Sequence, residues 1–362
     1  MDIPLFNLNT SKSLQDKYVG KVYELMSNND WILGEEVAKF EKSFSSFIGT
    51  NYSLGVNSGT DALELSLKAL GVKKGDEVIV PGFSFFATSE VVLKIGAKPI
   101  YCDINKEDLT IDISSLTELL SSNTKAIIPV HLFGNPADMV SIINLKQNNS
   151  FFIIEDVAQA FGSSIGPNKL GSFGDTGCFS FYPTKNLGGF GDGGALTVNN
   201  KDLYDKAELL RNHGQKKKYI HETVGYNSRL DSIQASILNL KLEEHETFLN
   251  QNLKVINKYI NLFANSPLIY TLLKVPQPSN LIPVAVREDI PLNEIKVLLE
   301  KNNISYGNYY PVGLHEFSFS KHNKKRDLPN VEWAKNHIFT LPVHNQIGDS
   351  ELNYIFDIIH SF

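Results

Sequence analysis

The chain has 362 residues, 42% hydrophobic and 20% charged, which is typical of a globular protein long enough to bury a sizeable core. Its net charge of −6 gives no electrostatic basis for binding nucleic acid or an anionic membrane. The two basic runs, KKK at 216–218 and KHNKKR at 321–326, are local. We interpret both as solvated loops; for KKK the alternative is a position near an anionic substrate.

Neither the cysteines nor the hydropathy indicate secretion or a membrane. Cys102 and Cys178 lie in apolar, strand-like segments and form no metal-ligand spacing or disulfide framework. The amino-terminal MDIPLFNLNTSKS lacks the charged region and apolar core of a signal peptide. No apolar run approaches the roughly 20 residues that a membrane helix requires. We therefore expect a cytoplasmic protein without a membrane segment or a metal site.

Helices and strands alternate through the first half of the chain. Helical periodicity predicts helices at 35–48, 57–71, 85–97, 113–121 and 137–149. Between them, short apolar runs predict strands at 76–82, 98–104, 125–134 and 151–156. This alternation predicts an α/β fold with a mostly parallel sheet covered by helices on both faces.

The pattern changes after the middle of the chain. Two further strands, GCFSFYPT (177–184) and GGALTV (193–198), flank a glycine-rich turn, and helices follow at 202–212 and, as one long stretch, at about 229–263. Beyond 266–268 we expect strands within 268–286, a short strand at 304–308, and helices at 291–302, 331–337 and 349–360. The predicted division is a large domain at 1–265, with an amino-terminal arm, and a smaller α+β domain at 266–362.

The run FFIIED predicts a buried strand that ends at Asp156, at the sheet edge where ligands bind in open α/β folds. A carboxylate there can pair with a protonated pyridine nitrogen, and a lysine such as Lys185 can form a Schiff base, as pyridoxal 5'-phosphate (PLP) requires. Ser180, five residues before Lys185, is near enough to serve the cofactor phosphate. The alternatives are a helix cap for Asp156 and a solvated loop lysine.

Two glycine-containing segments support this interpretation. NSGT (57–60) begins a predicted helix, where free N–H groups and the helix dipole favour an anion, with Gly59 allowing close approach and Thr60 donating. A plain capped helix is the alternative. The glycines of GGFGDGG (188–194) lead into a strand, whereas a dinucleotide-binding loop opens a helix. We predict a tight turn near the cofactor instead.

For the other candidate residues, the sequence leaves two interpretations open. Phe85 follows a strand and either stacks on the pyridine face or packs in the core. Asn227 and Ser228 precede a long helix and are candidate caps. Arg229, beside them, either makes a surface ion pair or clamps a substrate carboxylate or phosphate.

Together these motifs resemble the DegT/DnrJ/EryC1/StrS family of PLP-dependent nucleotide-sugar aminotransferases along nearly the whole chain. The resemblance is carried by WILGEEVAKFE (31–41), SGTDALELSLKALGVKKGDEVIVPGFSFFAT (58–88), KAIIPVHLFGNPADM (125–139), IIEDVAQAFGSS (153–164), FSFYPTKNLGGFGDGGAL (179–196), and RNHGQKKKY (211–219) followed by GYNSRLDSIQASIL (225–238). It implies the type I aminotransferase fold and a homodimer with active sites at the subunit interface.

The resemblance also implies roles for individual residues. Lys185 forms the Schiff base, Asp156 pairs with the pyridine nitrogen, and Gln159 lies near the ring hydroxyl. Phe85 stacks on the ring, and the phosphate is bound by Gly59, Thr60 and Ser180, with Asn227 of the partner subunit. The candidate substrate residues are Tyr182, Arg229 and His315, the last from YYPVGLH.

The implied reaction is ping-pong transamination from L-glutamate to a ketone on a nucleotide-linked sugar, for amino-sugar and O-antigen-type polysaccharide synthesis. The preferred substrate is a dTDP-3-keto-6-deoxyhexose or a UDP-linked 3-keto-2-acetamido sugar, and a 4-keto sugar is the alternative. Related sugar 3-dehydratases replace the lysine with histidine, whereas this chain retains Lys185. A non-catalytic PLP-binding sensor or regulator is the alternative of another class.

Overall fold

A computed structural model describes residues 1–273, 275–320 and 327–362, so the basic run at 321–326 lies outside the described residues. The strands are β1 (Tyr52–Val56), β2 (Glu77–Pro81), β3 (Lys98–Cys102), β4 (Thr124–Ile127), β5 (Phe152–Asp156), β6 (Ser164–Ile165), β7 (Asn168–Lys169), β8 (Thr176–Ser180), β9 (Gly194–Val198), β10 (Gln215–Lys217), β11 (Ile220–His221), β12 (Ile269–Thr271), β13 (Leu281–Val286) and β14 (Ile338–Pro342). The helices are α1 (Lys12–Asn28), α2 (Glu35–Ile48), α3 (Gly59–Ala69), α4 (Ala87–Lys94), α5 (Ile113–Leu119), α6 (Met139–Gln147), α7 (Lys201–Arg211), α8 (Ser232–Glu243), α9 (His245–Phe263), α10 (Leu292–Lys301), α11 (Pro329–His337) and α12 (Asp349–Ile359).

A seven-stranded sheet organises the larger part of the molecule, with strand order β1-β9-β8-β5-β4-β2-β3. β9 runs antiparallel to both of its neighbours, and the other adjacent pairs are parallel. The predicted α/β fold with a mostly parallel sheet is therefore confirmed. Because the parallel strands end at the same edge, the loops that follow β1, β2, β4, β5 and β8 converge there.

Helices cover both faces of this sheet. On one face, the apolar sides of α3 and α4 pack in a buried cluster that includes Leu63, Leu67 and Val91. On the other, α2 and α8 contribute Phe40 and Leu238 to a second cluster. Among these helices, α3 is capped by a side chain: Ser58 Oγ accepts from Asp61 N (3.1 Å) at its start.

The carboxyl-terminal part builds a separate core. The antiparallel sheet β12-β13-β14 packs with α9, α10 and α12 around buried residues that include Ile256, Val284, Ile295 and Phe339. Ile3 belongs to the same core. Residues from before 265 thus contribute to it, and the division of the chain at 265 stays a prediction.

Three element predictions were wrong. The strand expected at 125–134 ends at Ile127, and Leu132–Gly134 form a 3-10 helix. The long helix expected at 229–263 is two helices, because the backbone leaves helical geometry at Glu244 (φ −100°, ψ 7°). α8 packs on α2, and α9 begins in the same cluster with Leu249 before it buries Ile256 in the carboxyl-terminal core. The strand expected at 304–308 is reduced to two isolated bridges, from Ile304 to Ile3 and from Gly307 to Thr340.

Within the described ranges, no helix is both long and apolar enough to cross a bilayer.

Candidate active site

A cavity of about 450 Å³ opens at the carboxyl edge of the large sheet. The predicted residues that line it are Gly59, Thr60, Phe85, Asp156, Gln159, Ser180, Tyr182 and Lys185. The first and last of them, Gly59 and Lys185, are more than 120 residues apart in the sequence. The fold therefore brings the separate motifs to one place.

The first turn of α3 forms an anion-binding end of the cavity. The N–H groups of Gly59 and Thr60 have no acceptor within the helix, and the helix dipole adds partial positive charge there. A Cβ on Gly59 would lie 2.8 Å from the Cβ of Ser180, so only glycine permits this close approach of helix and strand. The hydroxyl of Ser180 and the helix N-terminus together suit a phosphate group.

Asp156 is buried at the end of β5, and both of its carboxylate oxygens are bonded. Oδ2 accepts from Thr88 Oγ1 (2.9 Å) and Oδ1 accepts from Ala158 N (3.2 Å). Burial raises the pKa of Asp156, while the Thr88 bond and the charge of Lys185 oppose that rise. No helix begins at Asp156, so the helix-cap interpretation of this residue was wrong.

Glu155, the preceding residue, points to the other face of the sheet. Its buried carboxylate accepts from the N–H groups of Gly171, Phe173 and Gly174 and from His131 Nε2 (2.7–3.1 Å). Since His131 Nδ1 accepts from a backbone N–H, its proton lies on Nε2. This network fixes the end of β5 from behind the cavity.

Lys185 lies in the turn between β8 and β9, half-buried at the cavity wall. Burial lowers the pKa of its amine, and the carboxylate of Asp156 acts in the opposite direction. Two backbone groups of the turn are held: Lys185 N donates to Tyr182 O (2.8 Å), and Asn280 Nδ2 donates to Thr184 O (2.5 Å). A lowered pKa favours the neutral amine, which is the nucleophilic form.

Two aromatic side chains flank the cavity with exposed rings. Phe85 is 59% exposed and Tyr182 is 53% exposed, although both are large and apolar. The core-packing interpretation of Phe85 was therefore wrong. An exposed ring beside a cavity suits stacking against a planar ligand.

Gln159 connects the cavity to a residue that the sequence reading missed. Its Oε1 accepts from Phe133 N (3.2 Å), and its Nε2 donates to the buried hydroxyl of Tyr310 (2.8 Å). Burial raises the pKa of Tyr310, so its hydroxyl keeps its proton. Tyr309 and Tyr310 both line the cavity, but nothing in the YYP sequence at 309–311 indicates the contact of Tyr310 with Gln159.

Three predicted site residues do not line this cavity of their own chain: Asn227, Arg229 and His315. Asn227 is exposed and pairs with Asn212 in an isolated bridge, and Arg229 donates to Asn212 Oδ1 (3.0 Å). Neither Asn227 nor Ser228 caps α8; Ser228 Oγ instead donates to Asp61 Oδ2 (2.7 Å) in the first turn of α3. His315 Nε2 lies 3.7 Å from Glu332 Oε1. The binding roles of Asn227, Arg229 and His315 stay predictions.

The donor set fits PLP. A helix N-terminus with a serine suits its phosphate, a buried carboxylate suits its ring nitrogen, a half-buried lysine suits its aldehyde, and an exposed phenyl ring suits its face. The fold and the site thus define an aminotransferase that uses PLP. The chain belongs to the DegT/DnrJ/EryC1/StrS aminotransferase family, whose profile matches residues 12–360.

The chain is similar to the following proteins over nearly its whole length. UDP-N-acetyl-3-dehydro-alpha-D-glucosamine 3-aminotransferase of Acidithiobacillus ferrooxidans is 35% identical over 99% of this chain and 97% of its own. A pleiotropic regulatory protein of Geobacillus stearothermophilus is 33% identical over 100% and 99% of the two chains. The crystal structure of NtdA from Bacillus subtilis, with bound cofactor PMP, has 28% identity and a TM-score of 0.93, covering 99% of this chain and 85% of that one.

Proposed function

We propose that the protein transfers the amino group of L-glutamate to the 3-keto group of a nucleotide-linked sugar, either a UDP-linked 2-acetamido sugar or a dTDP-linked 6-deoxyhexose. The observation that carries this proposal is the convergence of Lys185, Asp156 and the α3 N-terminus on one cavity. The name of the Acidithiobacillus relative supports the 3-keto position and the UDP-linked sugar.

The chain's own residues have distinct tasks in this reaction. Bound PLP supplies the electron sink that takes an amino group from one substrate and passes it to the other. Lys185 Nζ holds and moves the proton at the reacting carbon, as a neutral amine and then as its conjugate acid. Asp156 keeps a negative charge at the far end of the cavity, and α3 binds the phosphate. The ring of Phe85 covers one side and excludes water.

The proposed assembly is a cytoplasmic homodimer in which each cavity is completed by the other subunit. Asn227 and Arg229 are exposed or half-buried and lie outside the cavity of their own chain, which supports a role in the partner's site. The exposed ring of Phe85 would also be covered by such a partner. The amino sugar would then enter polysaccharide synthesis, as in an O-antigen.

The test begins with the visible absorption spectrum of the PLP-loaded protein before and after L-glutamate. We expect the cofactor band to change to the pyridoxamine form with release of 2-oxoglutarate, and no change in Lys185→Ala. Lys201→Ala, on the surface of α7, is the matched control. The pyridoxamine form is then offered 3-keto and 4-keto nucleotide sugars, and mass spectrometry identifies the aminated product. Amination of the 4-keto sugars alone would contradict the proposed position.

The regulatory name of the Geobacillus relative supports a second candidate, a PLP-binding regulator without turnover. Retention of Lys185 in the cavity favours catalysis over this alternative. A cofactor band that binds but ignores both glutamate and every keto sugar would favour the regulator.

A further inference from the structure

Two buried hydroxyl groups are linked to Asp156 by hydrogen bonds. Thr88 is fully buried in the first turn of α4, and Ser84, 3% exposed, lies in the loop before it. Thr88 Oγ1 is 2.9 Å from Asp156 Oδ2, and Ser84 Oγ is 3.0 Å from Thr88 Oγ1. The three side chains thus form a continuous chain of hydrogen bonds.

When Asp156 is ionised, its charge sets the direction in which these hydrogen bonds are donated. A carboxylate only accepts, so the single proton of the Thr88 hydroxyl is donated to Oδ2. Thr88 Oγ1 is then left to accept, and the proton of Ser84 is directed towards it. If Asp156 were protonated, this order would not be required. The two hydroxyls can therefore donate in sequence towards an ionised Asp156.

We infer that Ser84 and Thr88 are a positioning pair that holds Asp156 ionised and oriented, so that the nitrogen of the bound pyridine ring stays protonated. The inference rests on the role proposed above for Asp156. Neither hydroxyl is the partner of the ring nitrogen itself, since both act through the carboxylate.

The two hydroxyls are needed because burial in the site disfavours the negative charge of Asp156. Burial favours the neutral form of Asp156, whereas hydrogen bonds from Thr88 and Ala158 N favour the ionised form. A hydrogen bond to a charged group is stronger than a neutral one, and a second hydroxyl polarises the first. Without Thr88, the carboxylate keeps only the Ala158 N–H among these protein donors.

The same short segment also carries the ring that flanks the cavity. Thr88 N donates to Phe85 O (3.2 Å), so Phe85 and Thr88 belong to one turn. Ser84 and Phe85 both line the cavity. Orientation of Asp156 and placement of the Phe85 ring are thus controlled by one structural unit, the turn 84–88.

The test uses the full-length protein loaded with PLP that is ¹⁵N-labelled at the ring nitrogen. In wild type we expect the ¹⁵N resonance of a protonated pyridinium. Thr88→Val keeps the shape and removes the hydroxyl; we expect the resonance to move towards neutral pyridine, with a smaller movement in Ser84→Ala. Thr88→Ser restores the donor, and we expect the wild-type resonance. Asp156→Asn, which has no carboxylate, gives the ¹⁵N resonance expected when the charge of Asp156 is lost altogether.

Kinetics supply a second readout from the same proteins. In Thr88→Val, the single-turnover reaction with glutamate is expected to slow roughly ten- to hundredfold, the worth of one hydrogen bond to a charged group. Its alkaline decline should also begin at a lower pH, because the ring nitrogen loses its proton more easily. Val91→Ala, which opens a small space in the same helix, should slow the reaction little and leave the resonance unchanged.

Two results would overturn the inference. One is a Thr88→Val protein whose ¹⁵N resonance equals that of wild type, which would make the hydroxyl merely structural. The other is an unchanged resonance in Asp156→Asn, which would remove the carboxylate from the ring nitrogen altogether. The glutamate-dependent change of the wild-type spectrum reports on the proposed function separately.

Discussion

Lys241 is a half-buried cation beside the turn that carries Lys185. Its Nζ donates to Gly188 O (2.5 Å) and lies 5.0 Å from the ring centre of Phe190. It lines a second cavity of about 370 Å³ on the other side of the turn, which shares Lys185 with the first. Burial lowers the pKa of Lys241 to about 8.

This pKa predicts a stability change at high pH. Between the folded value of about 8 and the unfolded value of 10.5, the unfolded chain binds more protons, so wild-type stability rises with pH. Lys241→Met lacks this contribution. The difference in unfolding free energy between wild type and variant should therefore grow by up to about 3 kcal/mol from pH 7 to pH 10.5. Urea unfolding at several pH values measures it, and a pH-independent difference would contradict the assignment.

Among individual residues, the sequence predicted those whose chemistry can be recognised from residue type and local spacing. Asp156 ends an apolar strand and Lys185 stands among glycines, so both were recognisable without a structure. Tyr310 and Thr88 were not. Tyr310 meets Gln159 across 151 residues, and Thr88 meets Asp156 across 68, and no local pattern reports such contacts.

At the level of elements, an ion pair protects the outer edge of the large sheet. β1 is the edge strand, and Gly55 lies within it. Gly55 N donates to Glu41 Oε1 (2.8 Å), and Gly55 O accepts from Arg211 Nη1 (2.9 Å). Glu41 and Arg211 are also paired with each other. The two side chains, from α2 and α7, thus satisfy backbone groups that would otherwise remain unpaired at an edge.

Breaking this pair should be costly. Arg211→Met leaves the Glu41 carboxylate buried without its cation, and we expect a loss of about 3–5 kcal/mol in unfolding free energy. Urea denaturation measures the loss, with Lys201→Met on the exposed side of α7 as the control. In the double variant with Glu41→Leu, the loss should fall short of the sum of the two single losses. Strict additivity would mean that the two residues do not interact.

The element predictions succeeded where burial on both faces leaves an unbroken apolar run. β2 and β5 are buried on both faces and read as continuous apolar runs. The break at Glu244 is marked by no proline or glycine, and beyond it α9 passes from the cluster that contains Leu249 to the carboxyl-terminal core. Periodicity alone does not show which core a residue faces.

At the scale of the whole molecule, the amino-terminal arm joins the two cores. Ile3 N donates to Asn303 O (2.9 Å), Ser305 N donates to Ile3 O (2.8 Å), and the Ile3 side chain is buried in the carboxyl-terminal core. Three residues later, Phe6 lines both cavities. Docking of the arm therefore completes a wall of the active site.

Loosening the arm should affect substrate binding more than the fold. Ile3→Ala removes a buried side chain and should weaken docking by about 2–4 kcal/mol. We expect faster proteolysis of the first ten residues and a raised KM for the sugar substrate, because Phe6 is no longer held. Asp2→Ala, at an exposed position, is the control. An arm that is released while KM stays unchanged would exclude a role for Phe6 in the wall.

The position of β1 in the sheet has a consequence during synthesis on the ribosome. β1 pairs only with β9 in the large sheet, which follows it by roughly 140 residues. At about 5–20 residues per second, the apolar segment YSLGV emerges on the order of ten seconds before its partner strand. Over that interval it is an unpaired strand in a nascent chain, so we expect chaperones that bind extended apolar segments to engage this part of the polypeptide first.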